Sequence, residues 1–236
     1  MRAIILAGGR GTRLAPFTAT LPKPLVPVGN QSILDIVLKQ LSHAGVRHVT
    51  MAVNHLAHLI MAYFGDGKRW GLKIDYSLED KPLGTIAPLK LIKDLPETFF
   101  VMNGDILSDL DLRRLFRHHV KHKADITVAT FERDSKIDFG VLKYDQTGRV
   151  VGFEEKPVYH FSVSMGVYVV SRRLLGIVPA GQPFGFDQLM LACIAKGRKA
   201  MCYHHKGYWL DIGRPSDYAE ANEKIDELTR KLFPKG

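Results

Sequence analysis

The segment Leu6-Ala7-Gly8-Gly9-Arg10-Gly11-Thr12-Arg13 sets three glycines within four positions, beside two arginines. Glycine lets backbone N–H groups come close to a phosphate, and arginine adds counter-charge. Pro22-Lys23-Pro24 brings a lysine to the same region. The segment is neither a Walker A loop nor a G-x-G-x-x-G turn, because neither pattern occurs. A Gly-Gly pair alone reads as a tight turn; with Arg10, Arg13 and Lys23 close by, phosphate binding is the stronger reading. Asn103-Gly104-Asp105 ends an apolar run, and Asp211 follows the short apolar segment Trp209-Leu210. Ligands of open α/β sheets gather at the carboxyl ends of strands. On residue type alone, Asp105 is equally a turn aspartate, and Asp211 equally an N-cap ahead of the last helix.

The elements that must hold these residues alternate in type. Arg2–Leu6, His48–Val53, Leu72–Tyr76, Thr98–Met102, Ile126–Phe131 and Ser164–Val170 read as strands. Ile33–Ala44, with Ser32 as N-cap and Gly45 beyond it, reads as a helix. So do His55–Phe64, Leu112–Val120, Phe186–Ala195 and a terminal Ser216–Leu228. Gly140–Tyr144 and Val150–Phe153 flank Asp145–Gly148 as a hairpin. The pattern predicts an α/β fold, a three-layer Rossmann-like sandwich around a mixed, mostly parallel sheet. No linker, repeat or low-complexity tract divides residues 1–236, so a single domain is expected, with residues 1–110 and 111–236 as its two halves.

The 236 residues are 46% hydrophobic and 24% charged, which excludes a largely disordered chain or a coiled coil. A net charge of +9 points to an anionic partner. Two cysteines, Cys193 and Cys202, exclude a disulfide framework and are expected to be buried thiols. The apolar N-terminus stops at Gly8, too early for a signal segment, and no run spans a membrane, so a cytoplasmic protein is expected. His118, His119 and His122 lie among Arg113, Arg114, Arg117, Lys121 and Lys123, which repel a metal ion; they read as a solvated basic face. That helix lacks the aromatic platform of a nucleic-acid site, and no nucleic-acid partner is expected. His204-His205 carries no signal.

Several motifs occur in order across nearly the whole chain: Leu6 to Leu14, Leu21-Pro22-Lys23-Pro24-Leu25, Phe64-Gly65-Asp66-Gly67, and Glu79 to Thr85. Asn103-Gly104-Asp105, Phe139-Gly140-Val141, Glu154-Glu155-Lys156-Pro157 and Trp209 to Pro215 complete them. In these the chain resembles the sugar-1-phosphate nucleotidyltransferases. Within them it is most similar to bacterial D-glycero-D-manno-heptose 1-phosphate guanylyltransferases, with mannose-1-phosphate guanylyltransferases near. The resemblance implies that a nucleoside triphosphate and a sugar 1-phosphate combine into a nucleotide sugar and pyrophosphate. Such a reaction has an anionic nucleophile and must bring several negative charges together, so positioning and cations carry it.

By that resemblance Arg13, Lys23 and Asp105 are catalytic, Arg13 and Lys23 neutralising the departing pyrophosphate. Asp105 and Asp211 hold Mg²⁺, whose preference for hard oxygen ligands they suit. Leu6, Ala7, Gly8, Gly9, Gly11, Thr12 and Arg13 bind nucleotide, with Glu79, Pro82 and Gly84 around the base. Gly104, Gly140, Glu155, Lys156 and Ser164 form the sugar-phosphate side. Relatives carry Asn where Ser164 stands, and the shorter side chain loosens the assignment of the sugar. Glu79, as an acceptor-only carboxylate, suits the N1–H and N2–H₂ donors of guanine. The rivals are a uridylyl- or thymidylyltransferase acting on a hexose or amino-sugar 1-phosphate, a catalytically inactive nucleotide-sugar-binding regulator, and a nucleic-acid-binding protein. Only 25 residues follow Asp211, too few for an appended β-helix or acyltransferase domain, so one activity is expected. Gly207–Pro215 is the segment on which a homodimer would rest.

Overall fold

A computed structural model describes residues 1–232. The apolar runs become strands because both their faces are covered: Ile4, Ile5, Val49, Met51, Phe99 and Phe100 are fully buried. In chain order the strands are β1 (Arg2–Leu6), β2 (Pro27–Val28), β3 (Gln31–Ser32), β4 (His48–Val53), β5 (Lys73–Leu78), β6 (Thr98–Asn103) and β7 (Ile106–Ser108). They continue as β8 (Ile126–Lys136), β9 (Val141–Tyr144), β10 (Val150–Glu154), β11 (Val158–Ser171), β12 (Ala200–His205) and β13 (Trp209–Asp211). The helices are α1 (Ile33–His43), α2 (Ala57–Phe64), α3 (Leu112–His122), α4 (Phe186–Ala195), α5 (Pro215–Glu223) and α6 (Ile225–Leu232).

The central sheet runs β12-β8-β11-β6-β1-β4-β5. β11 is antiparallel to both its neighbours, β6 and β8, while the remaining pairs are parallel. On one face, side chains of α1, α2 and α3, among them Leu38, Phe64 and Leu115, cover the strands. On the other, Leu189 and Cys193 of α4 pack with Ile86 and Leu89. Three layers and a mostly parallel sheet result, as the sequence predicts. A smaller cluster of Leu14, Ile33, Leu107, Ile212 and Ala221 ties the first glycine-rich turn to α5.

Local chemistry sets the ends of elements. Ser32 caps α1 by accepting from Asp35 N–H at 3.1 Å, and Asp35 accepts in return from Ser32 N–H at 3.1 Å. This capping box satisfies two otherwise orphaned donors.

Several expectations change. β8 and β11 run on to Lys136 and back to Val158, as an arm whose residues are mostly exposed on both faces. Burial periodicity cannot mark such strands. The terminal helix is two helices, broken at Lys224. Cys193 is buried, but Cys202 is exposed on edge strand β12, and the two are unpaired. His119 is not solvated: its ring is buried, with Nδ1 2.9 Å from Thr127 Oγ1 and Nε2 3.0 Å from Ser171 Oγ. Burial pushes its pKa down to about 4. Among the described residues no helix is long and apolar enough to cross a membrane.

Candidate active site

The first glycine-rich turn leaves the carboxyl end of β1. Gly11 adopts φ +63°, where its carbonyl accepts from Thr18 Oγ1 at 2.8 Å. A Cβ there would stand 3.0 Å from Thr18 and 3.1 Å from Lys23, so glycine lets the turn close onto the lysine. Lys23 opens a tight helical turn between Pro22 and Pro24 and is buried.

The ribbon of β7 and β13 delivers the two aspartates. Ile106 stands opposite Asp211, and Ile212 N–H donates to the Asp105 carbonyl at 3.1 Å. Asp211 therefore ends a strand; α5 is capped by Arg214 instead. Lys23 Nζ donates to Asp105 Oδ2 and lies 3.8 Å from Asp211 Oδ1, joining the two carboxylates. Asp105 Oδ1 is buried without a partner. Burial, then the Asp105 charge, pushes the Asp211 carboxyl up, against Lys23 and Arg13. The turn into β13 is held by Asp109, which accepts from Tyr208 N–H at 2.7 Å and lies 2.8 Å from His205 Nε2. A Cβ on Gly207 would come within 2.8 Å of that carboxylate, so a larger residue there would have to displace Asp109. His205, silent in the sequence, thus helps to place Asp211.

A cleft of about 510 Å³ opens at these strand ends. Leu6, Ala7, Gly8, Gly9, Gly11, Thr12 and Arg13 line it from the first turn, and Glu79, Pro82 and Gly84 from the loop after β5. Lys23, Gly104 and Asp105 complete that wall. Gly104, expected with the sugar set, lines this cleft beside the glycine-rich turn, where its N–H donates to the Leu6 carbonyl at 3.1 Å. Glu79 Oε2 accepts from Leu83 N–H at 3.1 Å, and Oε1 stands 3.3 Å from where a Cβ of Gly8 would be. One carboxylate oxygen therefore holds the loop and the other faces the glycine turn. Burial pushes the Glu79 carboxyl up, opposed by the Leu83 N–H. Asn54, missed in the sequence, also lines the cleft and donates from Nδ2 to the Glu79 carbonyl at 2.8 Å. Its signal was its place directly after β4, the positional rule that singled out Asp105.

Asp211 lines a second cavity, separated from the cleft by Arg13 and Gly213. Gly140, Glu155, Lys156 and Ser164 line neither of the two. A Cβ on Gly140 would meet the Phe153 ring at 2.6 Å and Glu155 Oε2 at 3.2 Å, so Gly140 and Glu155 come together at the β9–β10 hairpin, whereas Ser164 lies on β11 opposite Thr130. Ser164 Oγ lies 3.2 Å from the Tyr168 hydroxyl and accepts from Gly166 N–H at 3.3 Å.

The family described as nucleotidyl transferase matches residues 2–227. The chain belongs to the nucleotidyl transferase family. The catalytic subunit beta of mannose-1-phosphate guanylyltransferase from Dictyostelium discoideum is 33% identical over 225 residues, covering 92% of this chain and 62% of that protein. Mannose-1-phosphate guanylyltransferase from Mycobacterium tuberculosis is 33% identical over 240 residues, covering 98% and 66%. The chain thus spans about three fifths of the curated relatives that it matches first. Among solved structures, HddC from Yersinia pseudotuberculosis complexed with GMP-PN superposes with TM-score 0.73 at 27% identity, over 95% of this chain and 99% of that one. A putative glucose-1-phosphate thymidylyltransferase from Bacillus anthracis shares the fold, with TM-score 0.74 at 23% identity, over 100% and 97%.

A divalent ion fits this site by its donor set. Two carboxylates meet on one ribbon, and one oxygen of Asp105 is buried with no partner. Among the described residues no three His, Cys, Asp or Glu side chains converge to hold a metal unaided. Mg²⁺ needs no such cage, because it binds through one or two carboxylates together with water and substrate phosphates.

Proposed function

We propose that the chain transfers a guanylyl group from GTP to a manno-configured sugar 1-phosphate, with a manno-heptose 1-phosphate as acceptor. The observation that carries this reading is the convergence of the glycine-rich turn, Lys23 and Asp105 at one cleft, with Asp211 3.8 Å from Lys23 just beyond the Arg13–Gly213 wall. In the reaction a sugar-phosphate oxygen bonds to the α-phosphorus. The bond from that phosphorus to the oxygen bridging to the β-phosphate breaks, and pyrophosphate leaves with the electron pair.

The turn N–H groups and Arg13 bind the triphosphate, and Lys23 stabilises the charge that grows on the leaving group. Asp105 and Asp211 would hold Mg²⁺, which when bound supplies further charge neutralisation among the phosphates. Glu155 and Lys156 receive the sugar hydroxyls and its phosphate, next to Gly140; Ser164 adds at most a short-range contact. Guanine is supported by Glu79 Oε1, an acceptor at the cleft, and by the similarity to a structure complexed with GMP-PN.

The curated relatives are mannose-1-phosphate guanylyltransferases, which favours mannose 1-phosphate as a second acceptor reading. Pyrophosphate release is to be measured with GTP, ATP, UTP and dTTP against manno-heptose, mannose and glucose 1-phosphates. A higher kcat/KM for mannose than for the heptose replaces the first acceptor by the second. Preference for UTP or dTTP overturns the guanylyl reading, and no release with any pair overturns nucleotidyl transfer.

A further inference from the structure

The second cavity, about 350 Å³, shares the Arg13–Gly213 wall with the cleft and falls within the roughly 300–1,000 Å³ of small-molecule sites. A Cβ on Gly213 would stand 3.4 Å from Arg13 Nη2, so the guanidinium lies directly against that glycine. Arg133 of β8 and Arg214 ahead of α5 also line the cavity. Arg133 lies over the Trp209 ring, 5.9 Å from its centroid.

The acids of this cavity are already engaged. Asp217 accepts from Gly213 N–H at 3.1 Å and Arg214 N–H at 2.8 Å. Glu220 pairs with Lys224 at 2.9 Å, and Asp211 faces Lys23 at 3.8 Å. Arg13, Arg133 and Arg214 form no ion pair within 4.0 Å among the described residues. Three guanidinium groups, none in an ion pair within 4.0 Å among the described residues, therefore border one cavity, and Arg13 also acts on the Asp211 carboxylate at longer range. Guanidinium recognises phosphate through paired N–H donors, so the matching ligand is a compact, multiply charged phosphate anion.

We propose that this cavity is a subsite for inorganic pyrophosphate on its way out of the cleft, with Arg133 and Arg214 receiving it from Arg13. The proposal rests on the nucleotidyl-transfer reading, in which pyrophosphate is the anion released beside Arg13. The triphosphate enters by the cleft and needs only Arg13 of these three; the product anion, once cut free, slides past the Arg13–Gly213 wall. Arg133 and Arg214 then govern product release and the affinity for pyrophosphate in the reverse reaction.

The test is calorimetric titration of the full chain with inorganic pyrophosphate and, separately, with GTP, for wild type and the double variant Arg133→Gln/Arg214→Gln. Both side chains are exposed, so the fold tolerates their replacement. The pyrophosphate Kd should rise at least about tenfold in the double variant, as the loss of charge-assisted contacts implies, while the GTP Kd moves less than about threefold. Arg214→Gln alone should give an intermediate Kd. Unchanged pyrophosphate affinity overturns the proposal. Equal weakening of GTP and pyrophosphate also overturns it, because the arginines then belong to the triphosphate site. The titration needs no turnover. Pyrophosphate bound through these arginines by a chain that consumes no nucleotide sinks the transfer reading and leaves the subsite standing; turnover with unaltered pyrophosphate affinity does the reverse.

Discussion

Replacing Glu79 with Gln keeps the side-chain shape and turns one acceptor into a donor, and the structure selects which one. Oε2 accepts from Leu83 N–H at 3.1 Å, so the amide oxygen of the variant must stay there or leave that N–H unpaired. The amide nitrogen then takes the place of Oε1, beside Gly8 at the cleft. Guanine presents N1–H and N2–H₂ on its recognition edge, so donor would face donor. Losing a hydrogen bond to a charged acceptor costs about 1.5–3 kcal/mol, or roughly 10- to 150-fold in kcat/KM for GTP. Burial also raises the Glu79 carboxyl. Wild-type kcat/KM for GTP should therefore fall toward acid from a pH above the ordinary glutamate range, and the variant should lack that limb. The assay is steady-state kcat/KM for GTP, ITP, UTP and dTTP on both proteins. Wild type should favour GTP over ITP, which lacks the 2-amino group, and hardly use UTP or dTTP. An unchanged nucleotide profile in the variant would refute the role of Glu79.

Asp105→Asn should lower kcat at least about 10²-fold, the scale of losing a central electrostatic stabiliser, and chelator should abolish wild-type turnover; full activity in chelator contradicts the metal assignment. Asp211 is raised by burial and by Asp105, so its ionised form weakens the fold, an effect that sets in as pH rises through its folded pKa. Asp211→Asn should therefore melt no lower than wild type at neutral pH while losing turnover, and a clear drop in Tm counts against this. His119, held near pKa 4 when folded, lets the unfolded chain take up a proton first; stability should decline as pH falls from about 6.5 to about 4, by up to about 3 kcal/mol. Urea unfolding at several pH values should show a shallower slope for His119→Gln, and parallel slopes would dismiss the idea. Lys156→Ala should raise KM for the sugar 1-phosphate roughly tenfold or more without altering nucleotide affinity; equal losses would make Lys156 structural.

Where a segment is covered on both faces, its bounds were legible in the sequence. β1 and β4 fall on the residues that the apolar runs mark, α4 keeps its expected bounds although only Leu189 and Cys193 of it are buried, and α1 starts at the Ser32 cap that its side-chain chemistry predicts. The outer parts of β8 and β11 carried no signal, because Glu132 to Lys136 and Val158 to Ser162 are exposed on both faces. β7 and β13 hold three residues each, too few for a period, and are specified only by each other. The glycine-rich cleft was legible because its ligands sit on short loops next to strand ends. The joining of Asp105 to Asp211 through Lys23, the role of Asp109 and His205 behind it, and the second cavity were not, since each depends on pairing between distant segments.

The β7–β13 ribbon also orders events during synthesis. The chain emerges N-terminus first, and domains begin to fold as they emerge. β12, the last strand of the central sheet, ends at His205, before Trp209 opens β13. The glycine-rich turn, Glu79, Lys23 and Asp105 can therefore assemble on a finished sheet while Asp211 is still arriving. Lys23, held against Asp105 in the mature fold, supplies that carboxylate with a counter-ion during the interval. The Lys23–Asp105 pair can thus close before Asp211 arrives, and the second carboxylate joins it only when β13 pairs with β7.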